Sequence, residues 1–195
     1  MTTTIVNHRW NELRTTIARK FYFATILQAI VSFSIFWGLV ALHTPKPPSP
    51  KLYLPVAFQF GTLFLVLGSY FLHRAVQFVR LERQTLFRRS LVFALGCAIL
   101  FVGIQSYGLW EFSNGVTGFR NTQTNVHGFT LVFVSLHAMH FIVAQSILMW
   151  VTLCAFADRY DHEYFWGVVF AAWVWHVLGI VWAVLLAVFG ISIPV

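Results

Sequence analysis

The sequence predicts an all-α integral membrane protein of five transmembrane helices, and its composition, its apolar runs and its charge distribution support this fold. Hydrophobic residues make up 58% and charged residues 10% of the 195 positions, and the mean hydropathy is +0.74. These values differ strongly from those of soluble domains. A transmembrane helix needs roughly 20 mainly apolar residues. Five runs meet this need: 21–42, 53–72, 90–110, 128–156 and 164–190.

The lysines and arginines are distributed unequally between the two sides of the predicted membrane. Ten precede the first run, lie between the second and third, or follow the fourth, and three lie on the other side. The positive-inside rule therefore places the N-terminus in the cytoplasm and the C-terminus outside. The net charge of +7 is then a topology signal, and we expect no nucleic-acid partner because no binding motif accompanies it.

Residues 1–20 are predicted to form a basic cytoplasmic segment that precedes the transmembrane domain 21–195. The segment has no short apolar core followed by small residues, so we do not expect a cleaved signal peptide. Cys97 and Cys154 both lie in apolar runs. We interpret them as small core residues and not as disulfide or zinc ligands.

The connections between the runs carry weaker signals. Residues 43–51 contain four prolines and predict a stiff outer loop. Apolar residues alternate with arginines over 73–90, which predicts that the second helix continues into an interfacial helix before the chain turns back. Residues 111–127 have turn chemistry without a site signature.

The fourth connection admits two interpretations. It gathers acidic groups and an imidazole on the cytoplasmic side: Asp158, Asp161, His162 and Glu163. Such groups can bind a metal, but a hydrated turn carrying charges at helix ends is the favoured interpretation.

Few ionisable groups lie at membrane depth. None of the six acidic residues is central in a run, and Glu111 is at an outer edge. Because ion-coupled transport usually needs a buried carboxylate or lysine, we do not expect this chain to move protons or ions by itself. Three of the eight histidines do lie within runs: His137, His140 and His176.

These histidines have a structural and a chemical interpretation. His176 with His137 or His140 could supply the two axial ligands of a b-type haem, whereas a di-iron oxygenase would need more histidines and carboxylates. We favour the structural interpretation, in which each neutral imidazole donates to a backbone carbonyl or a polar group of a neighbouring helix.

The fifth run contains a stripe of Trp175, Gly179 and Trp182 at positions i, i+4 and i+7, with His176 at its edge. Gly179 permits close approach of another backbone. We predict that this face meets the SLHAMH face (135–140) of the fourth helix in a hydrogen-bonded seam.

Two segments resemble a known family. FVSLHAMHFIVA (133–144) is similar to the HGLHV-type helix, and WVWHVLGIVW (173–182) to the WHFVDVVW-type helix, of subunit III of the haem-copper oxidases. Residues 91–110 resemble the family helix that ends in a glutamine followed three residues later by a glutamate. Gln105 matches that glutamine, and Gly108 stands at the glutamate. The likeness covers about residue 20 to the C-terminus, in the five-helix form.

This chain departs from the family at its carboxylates. Alignment of 21–42 on Trp37 places Gln28 at a buried glutamate of the family, and Gly179 stands at the aspartate of WHFVDVVW. With Gly108, all three family carboxylates are therefore replaced. The resemblance implies a scaffold role more directly than support of proton uptake.

The resemblance implies a non-catalytic subunit of a respiratory haem-copper terminal oxidase in the inner (cytoplasmic) membrane. Its partners would be the catalytic subunit I, which carries haem and copper, and subunit II, and it would bind phospholipid between its helices without holding a cofactor itself. The alternatives are an accessory subunit of nitric oxide reductase, a subunit of another respiratory membrane complex, or a haem b-binding anchor. The electron donor, cytochrome c or quinol, is left open.

Overall fold

The computed structural model describes residues 2–42, 56–117, 124–160 and 163–192, and these ranges form five α-helices. Each helix contains a stretch that is long and apolar enough to cross a membrane. The predicted all-α, five-span fold is confirmed, and the length and composition of the helices make the chain a multi-pass membrane protein. The helices are α1 (Thr2–Ala41), α2 (Val56–Arg80), α3 (Gln84–Thr117), α4 (Thr124–Phe156) and α5 (Trp166–Ser192).

Helix α1 is longer than predicted, because it includes residues assigned to a separate N-terminal segment. Its 40 residues extend about 60 Å at 1.5 Å per residue. The stretch suited to the hydrocarbon is Thr16–Leu39. Residues 2–20 contain neither proline nor glycine, so nothing in them breaks the helix before the apolar stretch begins.

No separate interfacial helix follows α2, contrary to the prediction for 73–90. Helix α2 continues to Arg80, and three residues connect it to α3. The Arg83 amide donates to the Phe78 carbonyl (3.0 Å) and the Glu82 amide to the Val79 carbonyl (3.2 Å), with Glu82 at φ 57°. This is a Schellman termination. The interfacial interpretation failed because Ala75 and Val79 are fully buried between helices.

Helices α2, α3, α4 and α5 form a ring in which each packs against two neighbours, and α1 packs outside it against α3 and α4. Neighbours within the ring are antiparallel. For α4 and α5, for example, His137 meets Trp182 and Phe141, further along α4, meets Trp175, which is earlier in α5. An added Cβ at Gly103 would lie 2.9 Å from Ile35. This glycine therefore permits α1 to approach α3 closely.

Helices α2 and α4 both end at the end of the bundle that carries the arginines. Arg88 at the start of α3 forms an ion pair with Asp158 after α4. The Gln84 side-chain amide donates to the Tyr160 carbonyl at 3.0 Å. These contacts tie the residues that follow α4 to the start of α3.

The structure also bears on the metal and cysteine predictions. Asp161 and His162 lie outside the described residues. Among the residues that are described, no three histidine, cysteine or acidic side chains are grouped as a metal site would require. Cys154 is buried and Cys97 partly buried, and both are free thiols. Cys154 is therefore confirmed as a core residue, whereas Cys97 lies outside the buried core.

Candidate functional site

An aromatic and imidazole cluster lies at the centre of the four-helix ring, and Trp182 is its central residue. The Trp182 indole is fully buried. The His137 imidazole stacks on it with a centroid distance of 5.5 Å and an interplanar angle of 10°. Phe58 of α2 meets the same indole edge-on at 5.5 Å, and Phe101 of α3 at 6.4 Å. Side chains from all four helices of the ring therefore meet at Trp182.

Phe141 extends this cluster toward the arginine-rich end of the ring. Its ring lies 4.5 Å from that of Phe101 and meets Trp175 edge-on at 5.4 Å. His137 meets Phe141 edge-on at 4.9 Å. Edge-to-face pairs of this kind contribute about 0.5–1.5 kcal/mol beyond the area that they bury. The cluster therefore contributes substantially to holding the ring together.

The predicted contact between α4 and α5 is present, but its chemistry differs from the prediction. His137 and Trp182 meet by stacking. The tryptophan hydrogen bonds go to α2, because Trp175 Nε1–H donates to the Leu65 carbonyl (3.3 Å) and Trp182 Nε1–H donates to Thr62 Oγ1 (3.0 Å). The hydrogen-bonded seam of α5 thus faces α2 and not α4. Both indole N–H groups point toward α2, so Trp182 contacts α4 through its ring.

His176 also binds α2. Its Nδ1 and the Ser69 Oγ are 2.9 Å apart and form a hydrogen bond. This agrees with the expected bond to a polar group of a neighbouring helix, although that helix is α2. His140 is exposed, and its Nδ1–H donates to the Leu136 carbonyl within α4 at 2.7 Å.

His137 and His176, one of the two histidine pairs considered as haem ligands, do not lie at the same level. His137 lies beside Trp182, which is six residues beyond His176 on α5. Six residues correspond to about 9 Å along a helix. Two axial imidazoles must lie at nearly the same level on opposite sides of one iron.

Two positions where carboxylates are replaced by glycine are filled from α2. An added Cβ at Gly179 would lie 2.9 Å from Leu65 Cδ2, and one at Gly108 would lie 2.7 Å from Phe58 Cε1. Gly179 therefore makes room for a side chain, whereas we had predicted the close approach of a backbone. Leu65 and Phe58 are seven residues apart on α2, on one helix face. An apolar face of α2 thus occupies the space that acidic side chains would need at these two positions.

Several buried polar atoms have no hydrogen-bond partner among the described residues. Gln105 is 4% exposed and His137 is 6% exposed. No described residue forms a hydrogen bond with Gln105 Oε1, His137 Nε2 or either side-chain amide atom of Gln145. Gln105 lies one turn beyond Phe101 and His137 one turn before Phe141. Because α3 and α4 are antiparallel, these two side chains are at one level.

Gln28 lies apart from this cluster. It is on α1, and its Oε1 is buried without a partner among the described residues, as is the Ser32 Oγ one turn further on. Nearby on the same helix, the Phe21 ring meets Trp150 of α4 edge-on at 5.5 Å. Of the eight predicted residues, the structure therefore leaves two outside the core of the ring: Gln28 lies on the outer helix, and His140 is exposed on α4.

Sequence reasoning missed the contribution of α2. Thr62, Leu65 and Ser69 all bond to α5, and their spacing of three and four residues places them on one helical face. The polar side chains Thr62 and Ser69, seven residues apart in an apolar run, could have indicated this face from the sequence. It does not identify the partner helix.

The fold and the site together define a multi-pass α-helical membrane protein whose deep imidazoles and indoles lie in a packed aromatic core. The chain matches no family model. The likeness to subunit III therefore rests on the motif residues described above.

Proposed function

We propose that this chain is a non-catalytic transmembrane subunit of a respiratory haem-copper terminal oxidase in the inner (cytoplasmic) membrane. It would stabilise the catalytic subunit I, contact subunit II, and bind phospholipid between its helices. Haem and copper would be held by the catalytic partner. In this proposal the chain contributes packing and not chemistry.

One observation carries the proposal: the two segments that resemble subunit III meet in the core through His137 and Trp182. Each of the two segments resembles its counterpart in subunit III independently of the other. Their contact supports a shared structural role, because stacked and buried rings stabilise a helix interface without a bound group.

The replaced carboxylates limit the proposal to a scaffold. Leu65 fills the space beside Gly179 and Phe58 the space beside Gly108. A carboxylate at either position would displace an apolar side chain and lose hydration. Support of proton uptake by acids at these positions is therefore not part of the proposed function.

Purification of the tagged full-length chain from native membranes in mild detergent tests the proposal. We expect a haem- and copper-containing catalytic subunit to co-migrate with the chain, together with phospholipid that resists detergent exchange. A nitric oxide reductase subunit among the co-migrating chains, or a complex without copper, would contradict the oxidase assignment. Haem that stays on the isolated chain would instead favour the haem b-binding anchor.

A further inference from the structure

Two polar side chains are buried at one level of the ring, beyond the Phe101–Phe141 contact as seen from the arginine-rich end. Gln105 of α3 lies one turn beyond Phe101, and His137 of α4 lies one turn before Phe141. Residues four apart share a helical face, so both side chains point into the ring as the two phenylalanines do. Gln105 is 4% and His137 is 6% exposed.

The neighbours of the two side chains place them close to the same turn of α2. Gln105 Oε1 lies 3.4 Å from the position that a Cβ on Gly61 would take. The His137 ring stacks on Trp182, whose Nε1–H donates to Thr62, the residue after Gly61. The amide oxygen and the imidazole therefore both lie near the centre of the ring.

Neither polar group has a hydrogen-bond partner among the described residues. Gln105 Oε1 can only accept, whereas the Nε2 of a neutral imidazole donates or accepts according to its tautomer. A buried polar atom without a partner is destabilising, and nearly all such atoms in folded proteins bond to protein or to ordered water. Lipid does not reach these two atoms, because they lie inside the ring, and acyl chains offer no hydrogen bonds.

A group that bonds to both side chains must be small and must be able to donate and to accept. The rings of Trp182 and Phe141 already pack against His137, which excludes a large ligand. A metal ion is the wrong class, because one imidazole and one amide oxygen are too few ligands, and the described residues contain no group of three histidine, cysteine or acidic side chains. Water donates to Gln105 Oε1 and bonds to His137 Nε2 in either tautomer.

Thr62 offers a third hydrogen bond at this level. Its Oγ1 donates to the Phe58 carbonyl at 2.7 Å and accepts from Trp182 Nε1–H at 3.0 Å. A hydroxyl oxygen has two lone pairs, so one of them is left for another donor. Buried waters typically make about three hydrogen bonds, and Gln105, His137 and Thr62 together supply that number.

We propose that the ring binds a buried water molecule that bonds to Gln105 Oε1 and His137 Nε2 and so links α3 to α4. Trp182 and Thr62 link α5 to α2 beside it, so the water completes a set of hydrogen bonds that includes all four helices. Hydrogen bonds are directional, and the water therefore fixes the register of α3 against α4 where the aromatic contacts alone would allow sliding. The water site does not depend on the identity of a partner subunit.

Solid-state NMR of the full-length chain in lipid bilayers tests the water directly. With isotope-labelled histidine, we expect magnetisation transfer from water protons to His137 Nε2, a signal that is assigned by its loss in His137→Phe. Gln105→Leu should remove most of this transfer, because the water loses its acceptor. Ser106→Ala is the matched control, since it removes the neighbouring exposed hydroxyl that bonds within α3, and should leave the transfer unchanged. No transfer in the wild type, or undiminished transfer in Gln105→Leu, would overturn the proposal.

Thermal unfolding of the same variants tests the link between the two side chains. We expect Gln105→Leu and His137→Phe each to lower the melting temperature, because each leaves the other polar group and the water with one bond fewer. The double variant retains neither polar group, so it should lose less than the sum of the two single losses. If nothing links the groups, Gln105→Leu removes an unpaired polar atom and raises the melting temperature. That result, or losses that simply add, would contradict the link.

The two measurements together separate bound water from a direct bond between Gln105 and His137. A direct bond predicts losses that do not add, but no transfer from water to His137, and this combination would overturn the proposal. Either result leaves the proposed oxidase function unchanged, because that function is tested by the subunits that co-migrate with the chain.

Discussion

At the scale of single residues, two glycines are in close contact with side chains of α2. Leu65 approaches Gly179, and Phe58 approaches Gly108, at distances that a Cβ would not permit without movement. The space that an acid would need is occupied by apolar atoms. These van der Waals contacts need no compensation in hydrocarbon, whereas a buried carboxylate would.

The contact between Gly179 and Leu65 predicts a coupling that can be measured. Gly179→Ala should destabilise the bundle by about 1 kcal/mol, because Leu65 must move from its rotamer. The same change in a Leu65→Ala background should cost nothing. Gly96→Ala is the control, since an added Cβ there meets no atom within 4 Å. Unfolding in detergent measures the wild type, both single variants, the double variant and the control, and equal costs in both backgrounds would exclude the contact.

Gln28 predicts a difference between a buried and an exposed substitution. Gln28→Glu should lower the melting temperature, because the buried Oε1 has no donor among the described residues to stabilise a carboxylate. Gln59→Glu, at an exposed position of α2, should leave it nearly unchanged. If both variants melt together with the wild type, Gln28 faces water.

Tyr160 predicts a loss of stability at alkaline pH. Burial raises the pKa of the Tyr160 phenol from 10 to about 12, with smaller contributions from Cys154 and Tyr164. The folded protein therefore binds this proton more tightly than the unfolded chain. The stabilisation is complete below pH 10 and is lost as the pH rises through about 12. Unfolding at several pH values should show this loss in the wild type and a smaller one in Tyr160→Phe.

At the scale of secondary-structure elements, the helix ends on the arginine side are terminated by residues with unusual backbone conformations. Glu82 after α2 has φ 57° and Asp158 after α4 has φ 53°. Each amide donates three residues back, and each following amide donates five residues back. Side chains other than glycine are strained in this left-handed region. The connection from α2 to α3 reverses the chain within three residues at that strain.

Replacing Glu82 with glycine should stabilise the protein by about 1 kcal/mol, since glycine adopts the left-handed conformation without a steric penalty. Asp158→Gly should gain less, because it also removes the ion pair with Arg88. Parallel chemical denaturation of the two variants measures the difference. A destabilised Glu82→Gly protein would contradict the Schellman interpretation.

At the scale of the whole molecule, the protein divides into a ring of four helices and an outer helix. The aromatic cluster joins α2, α3, α4 and α5. Helix α1 contacts α3 and α4, and within its described membrane stretch only Ile17 is a buried hydrophobic residue. The ring therefore has its own core, and α1 has little share in it.

This division predicts two levels of local stability. Hydrogen exchange in detergent should show common strong protection for the central turns of α2 to α5 and weaker protection for α1, because few of its side chains are buried. Mass spectrometry of labelled peptides resolves the two groups. Equal protection of α1 and the ring would mean that α1 unfolds only with the core.

The sequence predicted the elements of this fold well and their neighbours poorly. Apolar runs of about 20 residues identified all five spans, because hydrocarbon thickness sets that length directly. The arrangement of helices around His176 was misjudged, since helical spacing identifies a face but not the helix that it meets. The burial of Ala75 and Val79 likewise depends on the ring and not on local pattern. His137, Trp175 and Trp182 lie in the packed core, whereas Trp166 and Trp173 are exposed, so an aromatic ring in an apolar run does not by itself indicate burial.

The most direct test of the account is a reduced-minus-oxidised spectrum, with a copper determination, of the native complex before and after this chain is separated from its partners. We predict that haem and copper remain entirely with the partner fraction and that the isolated chain has no haem absorbance. Haem retained by the isolated chain, with loss of its signal in His137→Phe or His176→Phe, would contradict the claim that its deep imidazoles serve only to pack helices.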